Sequence, residues 1–101
     1  MKKFLLAAIA LTIATSSFAS VECNKKAFAA AKAVDAISNN SPKSAYSLVS
    51  TETISSVKDG GDTLDTVEVR MTVNEDSAAV WHVDLSATSC VIKNVRYVTG
   101  D

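Results

Sequence analysis

Residues 64–74, LDTVEVRMTVN, alternate apolar and polar side chains without a break from Val67 to Val73. A period of two is the mark of a strand with one buried face, so Val67, Val69, Met71 and Val73 share one side and Glu68, Arg70 and Thr72 the other. Asn74 to Ser77 reads as a turn, and residues 78–86, AAVWHVDLS, repeat the alternation. There Ala79, Trp81, Val83 and Leu85 form the inward set, with Val80, His82 and Asp84 opposite. The two segments make an antiparallel hairpin, and this hairpin decides the fold class.

Reading toward the C-terminus, Cys90 and Ile92 are in phase, but the apolar parity then passes to Val95 and Tyr97. That change predicts a strand beginning at Cys90 with a bulge at Lys93 and Asn94. Toward the N-terminus lies KDGGDT, a turn in which Gly60 and Gly61 take positive φ at little cost. Before it, AYSLVSTETISSV carries a first strand with a break after Tyr46 and Leu48.

The segment VECNKKAFAAAKAVDAIS is the one clear helix. Cys23, Ala27, Ala30, Val34 and Ile37 recur at helical spacing, with Ala31 beside them, while Lys25, Lys32 and Asp35 are expected to point to solvent. Ser20 or Asn24 is the expected cap. Ser38, Asn39, Asn40 and Pro42 end the helix. Alanines on the buried stripe imply close approach to a flat surface. One N-terminal helix packed on a four-stranded antiparallel meander gives an α+β fold, a single two-layer domain.

The chain opens MKKFLLAAIALTIATSSFAS, with a basic n-region at Lys2 and Lys3, an apolar run from Phe4 to Ala14 and a small-x-small site at Ser17-Phe18-Ala19. This reads as a bacterial secretory signal over residues 1–19, cleaved near Ala19 and leaving residues 20–101 as the domain. The apolar run is far short of the roughly 20 residues that span a bilayer, so no permanent membrane anchor is expected. The expected location is periplasmic or secreted. Loss of two lysines takes the net charge from −1 to −3, which leaves no basic patch for nucleic acid.

The chain has two cysteines, and in an oxidising compartment a Cys23–Cys90 disulfide is the default. It closes a loop of about 68 residues, for which chain entropy gives roughly 4 kcal/mol as an upper figure. Only Phe28, Tyr46, Trp81 and Tyr97 supply aromatic area after the signal, and so thin a core calls for a staple.

Helix followed by meander resembles the cystatin-like arrangement. The closing segment, with Trp81-His82-Val83-Asp84 and then Val91-Ile92, is similar to the final hairpin of PepSY-type domains. Ser89-Cys90 stands where such domains often carry a Thr-Gly turn, and the Gln-x-Val-x-Gly loop of cystatin inhibitors is absent. The resemblance implies protease inhibition as one functional class.

No hydrolase, zinc or nucleotide-binding motif occurs. His82 is the single histidine, and His82 with Asp84 is the only pair on which a small enzyme could be built; neither substrate cleft nor partner follows from the sequence. Asp59, Asp62 and Asp65 surround a glycine turn as calcium ligands would, but their spacing matches no known loop, and a solvated acidic turn is the simpler reading. No cofactor or metal is expected, nor an enzyme. The expected role is a small exported binding or regulatory module, monomeric or weakly dimeric, acting on a protein or peptide partner through an exposed strand edge or the helix-free sheet face. That face carries Glu68, Arg70, Thr72, Val80, His82 and Asp84.

Overall fold

A computed structural model describes residues 21–100; the expected signal segment and the capping residue Ser20 lie outside the described residues. The chain forms one helix, α1 (Val21–Asn39), a short 3-10 turn (Lys43–Ala45) and four strands: β1 (Tyr46–Asp59), β2 (Asp62–Val73), β3 (Ser77–Ser86) and β4 (Ile92–Gly100). The strands pair in sequence order as an antiparallel meander, and α1 packs across one face. This is the expected two-layer architecture. No helix among the described residues is long and apolar enough to cross a membrane.

The central hairpin follows the alternation. Val67 pairs with Val83, Val69 with Trp81 and Met71 with Ala79, and all six are buried beneath the helix. The turn that joins them places Asn74 and Glu75 at φ 57° and 63°, two successive left-handed residues whose twist matches that of the flanking strands. In the β1–β2 turn Gly60 alone takes the left-handed conformation, at φ 64°. A register shift falls between the Asp84–Asn94 and Leu85–Ile92 pairs, at the expected bulge near Lys93, and another follows Leu48 in β1.

Helix α1 departs from the expected stripe. Its buried side chains are Cys23, Ala27, Ala31, Asp35 and Ala36. Ala30 and Val34 are half-buried, and Ile37 is exposed. The helix thus lies along its i, i+4 row, with Asp35 at the end that the apolar pattern had assigned to Val34 and Ile37. Asn24 falls inside the helix and is not its cap. The C-terminus closes as a Schellman motif with asparagine in the usual glycine position. Asn40 sits at φ 53°, its N–H donates to Ile37 O and that of Ser41 donates to Ala36 O at 2.9 Å.

Cys23 and Cys90 are joined as a disulfide, with Cα atoms 4.9 Å apart across 67 residues of sequence. Such a bond fits an oxidising, exported environment. Cys90 belongs to the turn before β4 rather than to the strand, in the left-handed conformation at φ 62°. A glycine would be relaxed there. The thiol occupies that position because it can be bonded to the helix, and the bond fastens the first turn of α1 to the β3–β4 turn.

At 19 residues α1 spans about 28 Å, while 14 residues of β1 span about 46 Å, so the β1–β2 hairpin outruns its cover. The long axis of the molecule, 48 Å, reflects that overhang. The inward positions of β1 turn polar after Leu48, with Thr51, Thr53 and Ser56 opposite Val69, Val67 and Asp65.

Protein prepared under oxidising conditions should show no alkylated cysteine by mass spectrometry before reduction. The Cys23→Ala/Cys90→Ala variant should lose up to about 4 kcal/mol in denaturant melts. Two alkylated cysteines in the unreduced sample would remove the bond and the helix placement built on it.

Candidate functional site

The helix-free face places the six expected residues together. Glu68 lies opposite His82, Arg70 opposite Val80, and Thr72 opposite Ala78, while Asp84 pairs with Thr66 on one side and Asn94 on the other. Arg96 of β4 continues the row from His82. The two carboxylates organise this face. Glu68 receives Arg70 at 3.0 Å and His82 Nε2 at 3.1 Å. Asp84 accepts Thr66 Oγ1 at 2.6 Å and a two-pronged contact from the Arg96 guanidinium. Val80 is buried on this side rather than offered to solvent, so it is not available as a contact.

These pairs set the protonation behaviour. The hydrogen bond from His82 holds the Glu68 carboxyl below the usual carboxylate range, aided by Arg70 and opposed by burial. The Arg96 contact does the same for Asp84. His82 Nε2 is thus held against Glu68, and the pairing with Asp84 that a small enzyme would need is not formed. Arg96, which the parity change at the bulge hid from the sequence reading, takes that carboxylate instead.

The exposures on this face are unequal. The Glu68 and Asp84 side chains are 17% and 13% exposed, whereas Arg70 and Arg96 are 54% and 45% exposed. The anions are sunk between strands and the guanidinium groups stand above them. Glu52 on β1, opposite Glu68, is the exposed carboxylate at the far edge.

Asp59, Asp62 and Asp65 do not converge. Asp62 and Asp65 differ in parity along β2 and take opposite sides of the sheet. Asp62 accepts the Ser86 hydroxyl, Thr88 Oγ1 at 2.8 Å and the Thr63 N–H at 2.7 Å, which ties the β2 start to the β3–β4 turn. These bonds, Ser86 first, draw its pKa down to about 2. Asp65 is fully buried and accepts Ser56 Oγ at 2.6 Å. No group of three or more His, Cys, Asp and Glu among the described residues is arranged to hold a metal ion.

On the helix side, at the other end of the sheet, lies a feature absent from the sequence reading. Asp35, 4% exposed, accepts Trp81 Nε1 on Oδ1 at 2.9 Å, and on Oδ2 both Tyr46 OH at 2.6 Å and Asn39 Nδ2 at 3.1 Å. Burial first, then the adjacent carboxylate, pushes the Tyr46 phenol above its ordinary value. Asp35 opens on a cleft of about 520 Å³ between the helix end and the β3–β4 edge, walled by Trp81 and Tyr97. The two rings meet edge to face at 5.4 Å. The available signal was the polar tip of Trp81: its ring was expected inside, and a buried indole N–H requires an acceptor.

Comparisons with protein-family models, curated proteins and solved structures find no match. The functional reading therefore rests on the geometry.

Trp81→Ala should cost about 3–5 kcal/mol in denaturant melts, as large aromatic truncations in cores do. His82→Ala, which breaks a largely solvent-side pair, should cost about 1 kcal/mol or less. Equal losses would mean that the two sheet faces are assigned wrongly. Because the folded-state pKa of Asp62 lies below that of an unfolded carboxylate, the stability it gives is complete above about pH 4 and is lost as the pH falls toward 2. Asp62→Asn should flatten acid unfolding across that window, and an unchanged acid limb would contradict the assignment.

Proposed function

We propose that the chain is a small exported, non-enzymatic binding module that engages a protein partner through its helix-free sheet face. The observation that carries this reading is the unequal exposure of the paired charges. With Glu68 and Asp84 sunk and Arg70 and Arg96 standing above them, the β2–β4 part of the face offers two guanidinium groups already held in place. Guanidinium forks match carboxylates in two-point contacts, and little side-chain freedom is lost when they are held beforehand. The partner's contact surface is therefore acidic. A face this polar suits a wet, reversible contact and a protein that is otherwise monomeric or weakly dimeric. The disulfide and the signal-like N-terminus support an encounter in the periplasm or outside the cell.

Capture from periplasmic extract on immobilised oxidised protein, at low and high salt, tests this directly. The captured protein should elute with salt, and Arg70→Ala/Arg96→Ala should weaken it at least about tenfold while the melting curve shifts little. A partner held equally well by that double variant would overturn the sheet-face reading and move the contact to the strand edges.

A further inference from the structure

The cleft at the end of α1 is bordered by a buried acidic side chain that no ion pair among the described residues engages. Asp35 is buried there, and the three side chains that donate to it, Trp81, Tyr46 and Asn39, are all neutral. Of the ion pairs among the described residues, none includes Asp35. A carboxylate oxygen accepts two hydrogen bonds, and Oδ1 receives one, from Trp81, which leaves a second acceptor position. The surroundings add to the negative potential. Asp35 sits near the C-terminus of a helix whose last turn carries no basic residue, the end at which the macrodipole favours positive charge. The opposite wall holds the Tyr97 ring, 58% exposed, whose π-face attracts cations. Buried acid, helix C-terminus and aromatic ring all border one concavity, together with Ser38, Asn39 and Ala79.

From this convergence we propose that the Asp35 cleft binds an organic cation bearing N–H donors, an alkylammonium or guanidinium group, with one N–H donated to Asp35 Oδ1 and the charge against Tyr97. The same chemistry could arrive as a free polyamine or as a lysine or arginine side chain of a protein. The site is independent of the sheet-face contact, because the cleft lies on the helix side of the sheet and Arg70 and Arg96 on the other.

The chain has a single tryptophan, so its indole N–H gives one resolved NMR signal inside the site. Oxidised protein would be titrated with putrescine, N-acetyl-lysine amide, N-acetyl-arginine amide and the neutral N-acetyl-norleucine amide. The cationic compounds should shift the Trp81 indole and Tyr97 signals, and the norleucine amide should not. Tightest binding by putrescine assigns the site to free polyamines; tightest binding by either amino-acid amide assigns it to a protein side chain. Asp35→Asn, which keeps the shape, should weaken the cations by about tenfold or more, the loss expected for one charge-assisted hydrogen bond. Ser38→Lys, at an exposed position, places a tethered ammonium at the cleft mouth and should abolish the shifts while raising the melting temperature. Equal shifts from the norleucine amide, no shift from any cation, or shifts that survive in both variants would overturn the proposal.

Discussion

A helix whose buried side is mostly alanine cannot hold itself on a sheet by apolar area alone. Cys23, Ala27, Ala31 and Ala36 bury little surface, and the sheet face below them is built largely of valine. The fold depends on fastening this helix, and the decisive fastening is the Asp35 carboxylate. It joins the last turns of α1 to Tyr46 at the start of β1 and to Trp81 in the middle of β3, across 11 and 46 residues of chain. At the opposite end the Cys23–Cys90 bond does the same covalently. Small side chains let the helix approach closely, and the two ends supply the hold that the middle lacks.

The same economy separates the two sides of the sheet. Beneath the helix Asp35 gathers the donors of Trp81, Tyr46 and Asn39 beside the cleft, and Asp65 takes the Ser56 hydroxyl farther along β2. On the bare side, carboxylates and cations alternate across strands, so that charge is balanced laterally and the guanidinium groups remain outermost. With a core this thin, the polar ties that stabilise the fold are also those that shape its surfaces.

Much of the architecture was legible because it follows from period-two patterning. Val67 to Val73 and Ala79 to Leu85 have one parity each, and a one-residue slip would invert both, so their register is strongly fixed. The bulge at Lys93 was visible as a change of parity, and the disulfide as the two cysteines that follow a signal-like N-terminal segment. Helix facing was less legible. A hydrophobic stripe counts apolar residues, and by that count Val34 and Ile37 outrank Asp35; what buries Asp35 is two aromatic donors that come from elsewhere in the chain. Arg96 escaped for a related reason, since its side of β4 depends on where the bulge falls. The left-handed Cys90 is legible only in the backbone. Of the candidate face, the grouping of residues was readable from alternation, but not which charges would be sunk and which exposed.

The measurement that bears most directly on a helix held at its two ends is native-state hydrogen exchange in the oxidised Asp35→Ala protein. Loss of the carboxylate should release the C-terminal fastening and leave the disulfide intact. Amides from about Val34 to Asn39 should then lose protection, while those near Ala27 and Ala31 keep most of theirs. Unchanged protection along the whole helix, or a uniform loss from one end to the other, would contradict the account.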